Sequence, residues 1–182
     1  MLDSAMLAKI KEHLFEGHIE GSNVYAIIDG AACPELRFKL YDFEPKSACL
    51  WSGALEPDLQ EVAPYMVMLD KELPFTDWLL EKGWGNHWNI FVTSHLDFKA
   101  LRKQIRKLLL VKSPEGNNLL FRFYDPRVME VVLPTFVEEQ LLDLFEGLYK
   151  FDFVVDNGEA LVSNKLALDT HTLLQEKFKV MT

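Results

Sequence analysis

FRFYDPRV, Phe121–Val128, is where this chain passes from one kind of secondary structure to another. From Leu119 onward the residues alternate. Leu119, Phe121 and Phe123 fall on one side and Leu120, Arg122 and Tyr124 on the other, the period of a strand with a core face and a more amphipathic face. Asp125 then stands directly before Pro126, the order of a helix N-cap followed by proline at the first helical position. The helix so opened carries Val128, Met129, Val131 and Val132 and stops at or before Pro134. Arg122 and Arg127 are left over by this reading. They either brace the joint by pairing with carboxylates such as Asp125 or Asp29, or face a partner, and bracing is the expectation.

Working outward, the same signals recur. Leu2, Met6, Leu7, Ile10 and Leu14 have helical spacing closed by Gly17, and NVYAIID, Asn23–Asp29, reads as a buried strand ending at Gly30. A helix is expected from Pro34, strands at Ala48–Trp51 and Tyr65–Leu69, a helix over Leu73–Lys82 stopped by Gly83, and a strand over Trp88–Thr93. Ser94 with Asp97, and Thr135 with Glu138, have capping-box spacing; they open helices through Leu101, Ile105 and Leu108 and through Leu141, Leu144 and Phe145 to Gly147. LLLVK and NLLFRFY flank SPEGN as one hairpin, and FDFVV and ALVS form another with Asn157-Gly158 at a type I′ tip. Leu168–Val180, LDTHTLLQEKFKV, is read as a last helix.

Strands alternating with helices early and hairpins late predict an α/β or α+β single domain: a mixed β-sheet flanked by helices, with a late β-hairpin. Residues 1–147 form its body. Residues 148–182 are a C-terminal hairpin and short helix, either part of the same domain or a truncated second lobe.

A chain of 182 residues suits one domain, which buries roughly 70% of its extended surface without staples. With 49% hydrophobic and 26% charged residues, neither wholesale disorder nor a membrane protein is indicated. Nineteen Lys and Arg against 28 Asp and Glu give a net charge of -9, which works against a general binder of nucleic acid or anionic membrane. Cys33 and Cys49 match neither a CxxC redox pair nor a zinc knuckle and read as reduced thiols. The N-terminus, MLDSAMLAKIKEHLFEGH, lacks the apolar core of a signal peptide, so a cytoplasmic protein is expected.

Candidate chemistry is sparse. His13, His18, His87, His95 and His171 form no HExxH or HxH; the nearest approach to a metal cluster, His13, Glu16, His18 and Glu20, straddles the stop at Gly17. Ser94-His95 with Asp29 lacks the GxSxG elbow of a hydrolase triad. No phosphate-cradling GxxxxGKS or GxGxxG is present, and no metal or cofactor is called for. Lys99, Arg102, Lys103, Arg106 and Lys107 concentrate five of the nineteen positive charges within nine residues, away from the Leu101, Ile105 and Leu108 stripe. That face is either solvated or a docking surface for an acidic partner segment. GWGNHW, Gly83–Trp88, holds Trp84 and Trp88 as a lid over the core or as aromatic anchors for a bound peptide.

Taken in order and spacing, YAIIDGA (Tyr25–Ala31), APYMVML (Ala63–Leu69), WGNHWNIFVTS (Trp84–Ser94), the Leu101-Arg102 pair and FRFYDPRV resemble the adaptor, or effector-chaperone, family of bacterial type VI secretion systems. The resemblance spans roughly Val24 to Gly147, and FRFYDPRV is its most specific element. It implies a non-enzymatic cytoplasmic protein of a Gram-negative bacterium that binds one secreted effector, through that effector's N-terminal region, and helps load it onto the VgrG spike or a PAAR tip protein. A nucleic-acid partner is set aside by the net charge, and membrane insertion by the lack of any apolar run near the ~20 residues a spanning helix needs. Carried over residue by residue, the family pattern covers Tyr25, Asp29, Gly30, Ala63, Pro64, Trp84, Gly85, Arg122, Tyr124, Asp125, Pro126 and Arg127, most of them architectural. Some family members carry a larger C-terminal lobe than the 35 or so residues after Gly147, so this chain looks like the minimal version.

Two other readings stay open at this stage. A small hydrolase or phosphate-binding enzyme would bring a histidine to Arg122, Asp125 and Arg127 in a cleft. An immunity-type inhibitor would share the acidic charge and neutralise a toxin.

Overall fold

The computed structural model describes residues 2–15, 21–113 and 115–180. The helix stop expected at Gly17, with Glu16, His18 and Glu20, lies outside the described residues. In chain order the elements are α1 (Ser4–Phe15), β1 (Asn23–Asp29), α2 (Leu36–Phe43), β2 (Ser47–Cys49), α3 (Pro57–Val62), β3 (Pro64–Leu69), α4 (Pro74–Gly83), β4 (Asn89–Ser94), α5 (Phe98–Lys107), β5 (Leu110–Lys112), β6 (Asn118–Leu120), α6 (Pro126–Val132), α7 (Glu138–Phe145), β7 (Leu148–Val155), β8 (Ala160–Leu166) and β9 (Leu173–Lys179). Among the described residues no helix is long and apolar enough to cross a membrane.

Seven strands form one sheet in the order β2, β3, β1, β4, β7, β8, β9. Helices cover both faces, so the α/β class expected from the sequence holds. The pairing is antiparallel throughout, not mixed. A crossover is present: α4 joins β3 to β4, which run the same way, but β1 lies between them and pairs antiparallel with each. Alternation of strand and helix in a sequence reports the crossover and not the strand inserted beneath it.

Tyr25, Ile27, Met66, Ile90 and Val92 face one core with Leu101 and Ile105 of α5, Met129 of α6 and Leu141 and Leu144 of α7. Val24, Ala26, Ile28, Val67 and Phe91 face a second core with Ile10 and Leu14 of α1, Leu36 of α2 and Phe75, Leu79 and Leu80 of α4. Burial on both faces explains why β1 reads as a continuous apolar run, as central strands do when helices lie above and below.

Several local expectations need correction. Ser94 is the last residue of β4 and not a cap: its Oγ donates to the Gly147 carbonyl at 2.6 Å, while Asp97 caps α5 by accepting from Ala100 N at 2.8 Å. Thr135 donates to the Val132 carbonyl, and it is Gln140 that accepts from Val137 N at the start of α7. In both places the spacing matched, but neighbouring backbone had already engaged the hydroxyl. Leu119 is half exposed, because β5 and β6 pair only with each other and stand off the core; the alternation reaches the interior only at Phe121 and Phe123. The last segment is a strand, not a helix: β9 pairs with β8 from Ala160↔Lys179 to Leu166↔Leu173 and fills the hydrogen-bonding row β8 would otherwise present. The β7–β8 tip has positive φ at Asn157 and Gly158 (52 and 100), as expected, but also at Asp156 (51): pairing ends at Val155↔Ala160 and leaves a four-residue loop in place of the two-residue type I′ turn.

Candidate functional site

The charges of FRFYDPRV converge on the end of β1. Asp29 is 2% exposed and its Oδ1 accepts from Ala31 N at 3.0 Å, fixing the turn that leaves the strand. Its Oδ2 pairs with Arg122 Nη2, which comes from 93 residues further along the chain and also stands 3.7 Å from Asp125 Oδ2. Asp125 caps α6 as expected, accepting from Arg127 N at 3.0 Å. The Arg127 guanidinium then folds back on it bidentately, Nε to Oδ1 at 3.0 Å and Nη2 to Oδ2 at 2.8 Å. Two buried carboxylates and two guanidiniums thus form a neutral chain, Arg127, Asp125, Arg122, Asp29, that stitches the start of α6 to the end of β1.

The electrostatics follow from this geometry. Burial alone would raise the Asp125 carboxyl, but the Arg127 hydrogen bonds and the charges of Arg127 and Arg122 hold it below its usual range. Burial, reinforced by the charge of Asp29, pushes the Tyr124 phenol up to about 12, so it stays neutral beneath the joint.

Gly30 and the Ala63-Pro64 pair belong to the same corner. Gly30 N donates to the Ala63 carbonyl at 3.1 Å, and a Cβ built on Gly30 would run into the carbonyl oxygens of Ala63 and Glu61. Only glycine permits that approach. Tyr25 lies towards the other end of β1, 1% exposed, with its hydroxyl donating to the Leu96 carbonyl at 3.3 Å.

No described histidine joins the arginine cluster. His13 Nε2 lies 2.9 Å from Ser163 Oγ, His95 packs at a tilt against the Tyr149 ring, and His171 Nδ1 meets Glu138 Oε1 at 2.7 Å. Ser94 pairs across from Asn23, six residues from Asp29 along β1 and therefore about 20 Å away, so the Ser94, His95 and Asp29 combination is not assembled. Among the described residues no group of three or more His, Cys, Asp or Glu is placed to hold a metal ion.

One polar cluster went unread in the sequence. Lys150 Nζ stands 3.0 Å from the fully buried Asp152 and donates to the His13 carbonyl at 3.2 Å, beside the His13–Ser163 contact. A carboxylate in the apolar run FDFVV was the available signal.

The tryptophans and the basic helix lie on opposite faces of the sheet. Trp84 and Trp88 pack on the α1, α2 and α4 side. Trp84 Nε1 donates to the Gly158 carbonyl at 2.8 Å, and Trp88 packs at a tilt against Trp78, ring centroids 5.9 Å apart. Gly85, at φ 76, brings the loop so close that a Cβ there would sit 2.9 Å from the Asn157 carbonyl oxygen.

The face of α5 is built differently. Arg102 is pinned, Nε and Nη2 both donating to the Cys49 carbonyl at 3.0 and 2.7 Å, and Lys107 pairs with Glu146 at 3.1 Å. Lys99, Lys103 and Arg106 make no hydrogen bond or ion pair among the described residues. They border an open concavity of about 640 Å³ lined by α5 and its cap Asp97 alone, and Arg102 and Arg106 continue into a second hollow of about 440 Å³ against Trp51, Leu55, Gln60 and Tyr65.

These features define an α/β domain whose motif charges are closed on one another and whose helix α5 carries three cations, Lys99, Lys103 and Arg106, on one face without ion-pair partners among the described residues. A family model, Domain of unknown function (DUF4123), matches residues 24–142, well over half of the sequence, and the chain belongs to that family. No curated protein and no solved structure matches the chain significantly.

Proposed function

We propose that the chain is a non-enzymatic adaptor of a bacterial type VI secretion system, a cytoplasmic chaperone that binds one effector, through its N-terminal region, and helps load it onto the VgrG spike or a PAAR tip. The observation that carries this reading is family membership over the span whose motifs resemble those adaptors. The geometry agrees with it. Arg122, Asp125 and Arg127 are engaged in holding a strand end to a helix start, where a hydrolase would need a histidine and an open cleft. The cations of α5, by contrast, are presented outward.

Co-expression with the effector encoded beside it, followed by pull-down and size exclusion, tests the proposal. A stoichiometric complex and effector secretion that depends on this protein are expected. Absence of any complex with that effector or its VgrG contradicts the reading, and rescue from toxicity without a gain in secretion reassigns the protein as an immunity factor.

A further inference from the structure

We propose that the outer face of α5, together with the hollow between α5 and the segment from β2 to β3, docks a short acidic polypeptide segment, its carboxylates lying along Lys99, Lys103, Arg102 and Arg106 and its chain continuing beside Trp51 and Gln60. The partner's identity rests on the adaptor reading; the site itself does not.

The spacing comes first. Residues 99, 102, 103 and 106 stand at i, i+3, i+4 and i+7, one face of a helix, along about 10 Å of axis. Cations at those spacings repel one another. Among the described residues no acidic side chain pairs with Lys99, Lys103 or Arg106; Asp97 borders the same concavity, but its Oδ1 caps α5 at Ala100 N. An external anion is the relief such a face lacks.

Preorganisation is the second argument. Arg102 is held by two hydrogen bonds to the β2 carbonyl, so its guanidinium is fixed before any ligand arrives. The hollow is equally set: Arg37 Nη1 donates to Gln60 Oε1 at 2.6 Å and to the Tyr65 hydroxyl at 3.1 Å, and Tyr65 donates to the Gln60 carbonyl at 3.1 Å. Trp51 packs against both cores, which anchors the hollow to the sheet edge.

A polypeptide suits this surface better than a polyanion. The net charge of -9 repels an extended nucleic acid or an anionic bilayer beyond the reach of one helix face, whereas a short segment meets only the local field. The hollow beside Trp51 is lined mostly by polar atoms, with Ser52, Gln60, Tyr65 and the two guanidiniums among them, which suits the backbone amides and carboxylates of a peptide.

The test uses the full chain and a fluorescent peptide of Asp and Glu residues, followed by anisotropy. Binding is expected to weaken about tenfold or more when salt rises from about 50 to about 300 mM, and likewise in a Lys99→Glu, Lys103→Glu, Arg106→Glu variant. A peptide with Asn and Gln for the acids should bind more weakly. The variant's thermal midpoint should be unchanged or higher, an outcome a merely structural role for these side chains would not give. No saturable binding, an unchanged affinity in the variant, or tighter binding of a single-stranded oligonucleotide or phosphatidylserine vesicles overturns the proposal. An effector complex that survives charge reversal sinks this site and leaves the adaptor reading standing; peptide binding without any effector complex does the opposite.

Discussion

The joint at Arg122–Arg127 and the outer face of α5 are both rich in cations, yet they use them in opposite ways. At the joint each guanidinium ends on a carboxylate that is almost fully buried. On α5, Lys99, Lys103 and Arg106 end on none. Charge closed on a buried partner orders backbone, because removing either member strands the other away from water. Charge without a partner orders nothing at home and remains available for an incoming anion. Residues most recognisable in the sequence are therefore frame, and the less recognisable helix face is the candidate for recognition.

The strongest way to break that contrast is at Asp29. Arg122→Ala leaves its carboxylate buried with Ala31 N as its remaining donor, and about 2–3 kcal/mol of stability should be lost, less than for a fully buried pair because the Arg122 side chain is 44% exposed. Urea unfolding measures it, and a loss below about 0.5 kcal/mol would remove the joint from the frame.

Trp84→Phe sharpens the contrast at a second lock. Losing the indole donor to the Gly158 carbonyl should cost about 1 kcal/mol while effector binding persists. Unchanged stability with a lost complex would move Trp84 to the recognition side.

Acid should act on the frame in two stages. Burial, then the charge of Lys150, holds His13 below its ordinary 6.5, with Lys165 adding and Asp152 and Glu176 opposing. The unfolded chain takes up that proton first, so stability is full above pH 6.5 and declines below it. Asp125, held below 3.8, contributes stability above that value and loses it as pH falls through the lower folded value. Thermal midpoints across pH should show both stages, with His13→Gln flattening the first and Asp125→Asn the second; a single stage unaffected by either change would contradict the assignment.

The smallest effect is expected on α5. Lys103→Glu relieves like-charge neighbours at i−4 and i+3 and should raise stability by about 0.2–0.5 kcal/mol, a gain that added salt diminishes. A clear loss would mean that Lys103 has a structural partner.

What could be read from the sequence divides along the same line. The Asp125-Pro126 start of α6 was legible because cap and proline act within one turn, and β1 and β4 because burial on both faces leaves unbroken apolar runs. The Asp29 partner of Arg122 had to be chosen from many carboxylates, since 93 residues of chain separate the two. β9 was missed because an edge strand with exposed Gln175, Glu176 and Lys177 has no alternation to show, and its conformation is set by pairing with β8. The hollow beside Trp51 was invisible for a similar reason: Cys49, Gln60 and Arg102 meet there only after folding. Capping-box spacing misled at Ser94, whose hydroxyl donates to the Gly147 carbonyl 53 residues away, and at Thr135, whose hydroxyl donates to the Val132 carbonyl within its own turn.

The most direct measurement sets the two regions against each other in one experiment. Arg122→Ala and the Lys99→Glu, Lys103→Glu, Arg106→Glu variant are each assayed for thermal midpoint and for effector pull-down at a temperature where both remain folded. A lowered midpoint with the complex retained is predicted for the first, and an unchanged or raised midpoint with the complex lost for the second. A stable Arg122→Ala protein that selectively loses the effector, beside a charge-reversed α5 that keeps it, would contradict the account.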